Sequence, residues 1–330
     1  MNRAPLMSAE NLHGQAIRAL VFCTAMWALS FPAMKALALE QHKLLPDAGS
    51  WFFTSLGVMY RFGAAGLLLL LFNVPALKTI SRREMEQGLA LAFFGVGGIL
   101  FQMDGLAYTL ASTSAFLTQG YCLFIPLWVA LVNRRCPSLK IFLSTLLVLA
   151  GVALLANVNF HSFKLGRGEL ETLIASLMFT GQILLLENPR YAANRPGNFS
   201  TVMLLGIALL CLPLVWATAP SAAACLRAYA SPAACGLLAV LVVFCTVIAY
   251  TMMNRWQRHV SATEAGLIYC IEPVIASVLA LFLPGWLSHW SDINYANEQL
   301  TLRLLLGGGL ITVANVLLQS RWLEPCNQQP

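Results

Sequence analysis

Residues 261–284 read Ser261-Ala-Thr-Glu-Ala-Gly-Leu-Ile-Tyr269-Cys-Ile-Glu272-Pro273-Val-Ile-Ala-Ser-Val-Leu-Ala-Leu-Phe-Leu-Pro284. The stretch is long and apolar enough to cross the hydrocarbon core of a bilayer, which takes about 20 such residues. A carboxyl stands near its middle, directly before a proline. Proline removes a backbone donor and bends a helix, and a charge in lipid is costly. Both are tolerated where the chain faces protein or a wet cavity. An earlier stretch has the same plan. Ser114-Ala115 precedes Pro126 by the distance at which Ser261-Ala262 precedes Pro273, and each pair opens an apolar run.

Composition extends this reading to the whole chain of 330 residues. Hydrophobic residues make up 58% and charged residues 10%, with a mean hydropathy of +0.72. An ordinary soluble domain carries about 25% charged residues to cover its surface. Ten segments qualify as spans: 17–39, 51–72, 87–108, 112–132, 140–158, 168–187, 199–217, 232–254, 263–284 and 302–322. The first is too long for the core of a cleavable signal. The two proline-bearing segments are the fourth and the ninth. Each is followed by a span with glycine near its middle, Gly151 in one and Gly307-Gly308-Gly309 in the other. The repeating unit is therefore five helices, an odd number, so the second copy enters the membrane from the opposite side. The expected fold is all-α integral membrane, ten transmembrane helices as two inverted five-helix repeats, residues 1–158 and 159–330. Inverted repeats are characteristic of secondary transporters.

The charge excess of +6 is scattered through short connections. A nucleic-acid-binding protein would gather it on one face. Thirteen Lys and Arg, including Arg82, Arg83, Arg134, Arg135, Arg190, Arg195, Arg255 and Arg258, fall on one side of the ten-span scheme and five on the other. Lysine and arginine favour the cytosolic side, so both termini are expected in the cytosol of a cell-membrane protein. The nine cysteines include no CxxC pair, and Cys23, Cys122, Cys211, Cys245 and Cys270 lie inside apolar runs as small hydrophobes. Cys225 and Cys235 flank a short loop and are either paired or two free thiols. No metal site and no cofactor is expected. The five histidines are dispersed singly, and the chain has no HExxH, phosphate loop or GxSxG. An integral-membrane enzyme is thereby disfavoured, and a non-transporting scaffold has no need of charges in mid-span.

Several ordered motifs resemble the EamA family of the drug/metabolite transporter superfamily. Trp27-Ala-Leu-Ser30-Phe31-Pro-Ala-Met-Lys35 is similar to that family's opening, and Tyr60-Arg61-Phe62 to its Arg-Phe signature. Gly105-Leu-Ala-Tyr108-Thr-Leu-Ala-Ser112 resembles its third-to-fourth helix turn. Ser261 through Glu272-Pro273-Val274 resembles its Glu-Pro-Val helix. The chain departs from the pattern at Ala28, and at Leu283-Pro284-Gly285-Trp286, which a polar loop follows. The resemblance implies a ten-helix basket with a central cavity, moving amino acids or related metabolites across the membrane, by export or import. A sugar-phosphate or nucleotide-sugar exchanger of the same superfamily is the alternative. It would need more cations in the cavity than Lys35 and Arg61.

Four ionisable residues fall within spans: Lys35, Arg61, Asp104 and Glu272. Arg61 suits an anionic group, since guanidinium grips carboxylates with two prongs, or else is the structural partner of a carboxylate such as Asp104. Lys35 and Asp104 lie near helix ends, where each either serves a cavity or simply anchors its helix. Glu272 is either a coupling or substrate contact that exchanges protons, or an interhelical hydrogen-bonding group. Trp27, Gln102, Gln119, Tyr121, Gln182, Tyr250 and Tyr269 are uncharged candidates for a cavity wall, and Tyr and Trp also anchor helices at interfaces. Pro126 and Pro273 are the kink positions. Gly63, Gly66, Gly95, Gly97 and Gly98 read as close helix packing. The implied partners are a small-molecule substrate, the lipid bilayer and the coupling proton. Reporter fusions at Asn194 and Gln328 should both read cytosolic and one at Asn294 outside; a cytosolic signal at Asn294 contradicts the ten-span scheme.

Overall fold

The computed structural model describes residues 9–72, 79–108, 114, 117–134, 136–155 and 166–319. Among these every regular element is helical. In chain order they are α1 (Ala9–Leu44), α2 (Ser50–Phe72), α3 (Arg82–Tyr108), α4 (Tyr121–Asn133), α5 (Leu139–Leu155), α6 (Arg167–Glu187) and α7 (Pro196–Thr218). There follow α8 (Ala222–Arg227), α9 (Pro232–Val242), α10 (Ala249–Trp256), α11 (Ala262–Tyr269), α12 (Glu272–Ala280), α13 (Leu283–Ser291) and α14 (Leu302–Gln319). Seven stretches are long and apolar enough to cross a membrane: α1, α2, α3, α6, α7, the run Pro232–His259 and the run Ala262–Ala280. Shorter apolar helices occupy Tyr121–Asn133, Leu139–Gly151 and Leu305–Ala314. The chain is a multi-pass α-helical membrane protein.

The surface agrees. Leu71, Phe72, Leu131, Trp216 and Val316 are exposed, while Arg61, Glu84, Gln102, Asp104, Gln119 and Glu272 are buried. Apolar groups outside and polar groups inside suit a molecule whose solvent is lipid. The helix ends follow ordinary capping chemistry. Ser261 accepts from the Glu264 backbone and Glu264 reaches back to Ser261, a capping box. Pro196 and Pro232 stand in first turns, where a missing N–H costs nothing.

Three spans differ from the continuous helices expected. The run 232–256 contains a π-helical turn at Val243–Ile248, between α9 and α10. The run 263–284 is split: α11 ends at Tyr269, Cys270 and Ile271 form a turn, and α12 begins at Glu272 and ends at Ala280. Pro273 therefore starts a new helix instead of bending one, because the first turn is where its missing donor is harmless. In the fourth span Gln119 and Gly120 form a turn ahead of α4, and Pro126 lies inside α4. Residues 109–113, 115 and 116, which include Ala115 and Ser112 of the motifs above, lie outside the described residues.

α3 packs along α6 and α7, α2 along α7, and α5 along α14, while α1 runs through the centre against α9, α10, α11 and α12. Glycines set the closest approaches. A Cβ added to Gly98 would stand 2.4 Å from the Phe179 ring, and one on Gly181 2.4 Å from the Phe94 ring. Gly151 meets the Gly307 carbonyl in the same way, at 2.6 Å. The small residues thus let α3 lie on α6 and α5 on α14, as close helix packing in lipid requires.

Gly98→Leu should lower the thermal stability of the detergent-purified protein, by about 1–3 kcal/mol for an overpacked contact. Gly309→Ala, where the added Cβ meets nothing within 4 Å beyond its own helix, should keep the stability or raise it by up to about 1 kcal/mol. Equal melting temperatures for the two variants would contradict the α3–α6 contact.

Candidate functional site

The breaks in the helices converge on one narrow cavity, of about 60 Å³. Its wall is drawn from α1 (Trp27, Ser30, Phe31), α2 (Arg61), α3 (Ile99, Gln102), the fourth span (Thr118, Tyr121) and α6 (Phe179, Gln182, Ile183). Tyr250 and Met253 of α10, Tyr269 of α11 and Glu272 of α12 complete it.

Arg61 is 3% exposed. Its Nε donates to Thr246 Oγ1 at 2.6 Å, Nη2 to the Cys245 carbonyl at 2.9 Å and Nη1 to Met34 Sδ at 3.4 Å. The π-turn makes this possible. In an α-helix the Ala249 N–H would occupy the Cys245 carbonyl; here it reaches back to Phe244, and the Cys245 oxygen is left for the guanidinium. Thr246 Oγ1, which accepts from Arg61, itself donates to the Leu241 carbonyl at 2.8 Å. Every one of these acceptors is neutral. Asp104, the carboxylate that could have paired with Arg61, is engaged elsewhere: it takes Arg167 at 2.6 Å and Ser50 at 2.9 Å.

Glu272 is 9% exposed and forms no ion pair among the described residues. The Gln119 side chain hydrogen-bonds it, and Tyr121 donates to Gln119 Oε1 at 2.7 Å. The carboxyl stands in the first turn of α12, so the positive end of that helix faces it. An aromatic wall rises beside it. Trp27 meets Tyr250 and Tyr269 edge-on, with centroids 5.4 and 5.3 Å apart, and Phe62 backs Tyr250 at 5.5 Å. The buried Trp27 Nε1 has no hydrogen-bond partner among the described residues.

One end of the molecule is sealed by polar contacts. Gln257, fully buried, donates to the Ile183 carbonyl at 2.8 Å and accepts from the Tyr269 hydroxyl at 2.8 Å, tying α6 to α11 below the cavity. Further out, Glu84 accepts from Ser81 N, from Arg195 N and Nε, and from Asn198 Nδ2. Asn194 bridges to Gln87 at 2.8 Å, and Arg258 donates to the Asn194 carbonyl. Glu187 accepts from the Ala262 N–H.

Of the residues singled out in the sequence, Trp27, Arg61, Gln102, Tyr121, Gln182, Tyr250, Tyr269 and Glu272 share the cavity, and Gln119 stands directly behind Glu272. Lys35 and Asp104 do not line it. Lys35 is exposed, with its ammonium over the Tyr295 ring at 5.4 Å. Asp104 is buried in its ion pair at the end of α3. Cys225 and Cys235 are both free thiols. Sequence reasoning missed Ser30, Phe31, Thr246 and Gln257. The first two follow Trp27 by three and four residues, which puts them on its helical face. Nothing in the sequence marks the π-turn that brings Thr246 to Arg61.

No protein-family model matches the chain, and no curated protein matches it. Solved structures do. One, described only as a crystal structure of a protein, aligns over 93% of this chain and 96% of its own, with a TM-score of 0.68 at 15% identity. At that identity the likeness is one of fold.

Gln257→Leu should destabilise the protein by about 1–3 kcal/mol, because the Ile183 carbonyl and the Tyr269 hydroxyl lose their partner inside a dry core. Tyr269→Phe should cost less, about 1 kcal/mol. Thermal unfolding in detergent checks both, and an unchanged midpoint for Gln257→Leu would contradict the seal.

Proposed function

We propose that this protein is a secondary transporter of the EamA type in the drug/metabolite transporter superfamily, carrying small zwitterionic metabolites such as amino acids through the central cavity. The observation that carries the reading is a central cavity whose wall holds one buried guanidinium and one buried carboxyl, neither paired with an opposite charge among the described residues. Burying a lone ion costs several kcal/mol. A solute bearing both a carboxylate and an ammonium compensates both charges at once. Its apolar part would lie on Trp27, Tyr250 and Tyr269, and the free Trp27 N–H can donate to it.

The ten-span, inverted-repeat reading is part of the proposal. The helix pairings support it, because they come in matching sets when the halves are exchanged. The third span packs on the sixth as the eighth does on the first, and on the seventh as the eighth does on the second. The fourth meets the sixth as the ninth meets the first. The second and seventh, the fourth and ninth, and the fifth and tenth pair directly. A twofold axis in the membrane plane relating residues 1–158 to 159–330 produces this pattern. Helices interrupted beside a central site, as at Gln119-Gly120 and Cys270-Ile271, are a recurring device of such carriers. Alternating access then consists of rocking one half against the other. The Gln257–Tyr269 and Glu84–Arg195 contacts hold one end shut, and with both termini in the cytosol of a cell-membrane protein that end is the cytosolic one.

Glu272 is the coupling residue in this account. Its carboxyl has no fixed cation, so it can be held with or without a proton as the cavity fills and empties. The sugar-phosphate alternative is less well served. Arg61 is the one Lys or Arg in the lining among the described residues, and Glu272 would repel a dianion. No cofactor and no catalytic residue enters the scheme.

In proteoliposomes, Glu272→Gln should abolish accumulation driven by a pH gradient while downhill exchange of amino acids persists. Full pH-driven accumulation by this variant would overturn the coupling role, and absence of any solute flux through the folded wild type would overturn the carrier reading.

A further inference from the structure

A second cavity, of about 280 Å³, lies between the C-terminal half of α1, the first half of α2 and the end of α3. It shares the lining residue Arg61 with the central one, so that Arg61 stands between them. Its chemistry is different. Lys35, His42 and Arg61 are the titratable residues of its described lining, and no carboxylate lines it. Two acids flank it: Asp104, whose Oδ1 accepts from Ser50 of the wall and whose charge is met by Arg167 at 2.6 Å, and Glu40 of α1, which is buried between the lining positions Ala38 and Gln41. Lys35 makes no ion pair among the described residues; its ammonium is over the Tyr295 ring. Arg61 spends three of its five N–H groups on Thr246, Cys245 and Met34, which leaves two for a ligand. The rest of the wall is apolar, with Phe53, Met103 and Leu106 prominent.

We propose that this second cavity is an anion-selecting vestibule: a subsite in which Lys35 and Arg61 hold the carboxylate of a small amphipathic solute while its apolar body rests on Phe53, Met103 and Leu106. Two cations facing a space free of carboxylates create a positive potential, and low-dielectric walls focus it. Because Arg61 belongs to both cavities, a carboxylate captured beside Lys35 can pass to the central site without leaving the guanidinium. Lys35 serves capture and takes no part in the central site. The proposal rests on the carrier reading for its purpose but not for its test.

The test is calorimetric titration of the detergent-purified full chain with benzoate, benzamide and benzylamine, which share a ring and differ in charge. Benzoate should bind more tightly than the other two. Lys35→Gln should weaken benzoate about tenfold, the scale of one lost charge-assisted hydrogen bond. Lys35→Arg should keep the affinity. Ala38→Trp, which fills the vestibule from its wall while keeping Lys35 and Arg61, should block benzoate. Benzoate affinity unchanged in Lys35→Gln or in Ala38→Trp, or benzamide binding as tightly as benzoate, would overturn the vestibule. Lys35-dependent benzoate binding by a protein that moves no solute in liposomes would sustain the vestibule and sink the carrier reading, so the two failures are separable.

Discussion

The guanidinium of Arg61, buried among neutral acceptors, is the constraint around which the centre of this molecule is arranged. A cation taken out of water costs several kcal/mol unless its donors are satisfied. The chain meets that demand by widening one turn of a helix. The π-turn at Val243–Ile248 turns the Ala249 N–H away from the Cys245 carbonyl, and Arg61 takes the vacancy while Thr246 braces its Nε. Charge is tolerated there but is not neutralised. Glu272 likewise has no cation beside it; the N-terminus of α12 and the Gln119 amide steady its carboxyl. A protein selected for stability alone would fill both positions with packed apolar residues, which replace buried charges at little or no cost. In the carrier reading proposed above, the solute supplies their partners.

The interruptions in the helices follow from the same requirement. An unbroken α-helix keeps its amide and carbonyl groups to itself and cannot present them to a site. At Cys270-Ile271 the chain leaves the helix for one turn, so that α12 starts at the cavity with its positive end facing Glu272. At Gln119-Gly120 it does so again, and Gln119 is placed behind that carboxyl. Irregular backbone is admissible at this depth because protein surrounds it. The polar seal at Gln257 closes one side of the cavity with two hydrogen bonds, a number that a modest change in binding energy can offset.

The sequence carried the class of the fold through its apolar runs, since a period of about 20 nearly uncharged residues has few other meanings. It also brought out most of the wall. Trp27, Arg61, Tyr121, Gln182, Tyr250, Tyr269 and Glu272 were visible because polar and aromatic groups inside a span demand a reason. What the sequence hid was geometric. Pro273 announced a bend but could not say that the helix would end and restart. The run from Pro232 gave no sign of a π-turn, because the extra residue is forced by what packs on the helix and not by its own composition. The sequence leaves Asp104 and Lys35, near helix ends, open between a cavity role and an anchoring one. Their places were decided by Arg167 and Tyr295, partners from connections far along the chain.

The central claim is that the cavity expects both charges of its solute. Counterflow in proteoliposomes measures this most directly, using the protein amino acids, each compared with its methyl ester and its N-acetyl derivative. The ester removes the charge that answers Arg61, and the acetyl group removes the one that answers Glu272. The account predicts that at least one free amino acid exchanges and that both of its derivatives exchange at least about tenfold more slowly, the effect of roughly 1.4 kcal/mol in binding. Derivatives that exchange as fast as the parent would contradict it, because the two buried charges would then be structural and the solute would be recognised by shape alone.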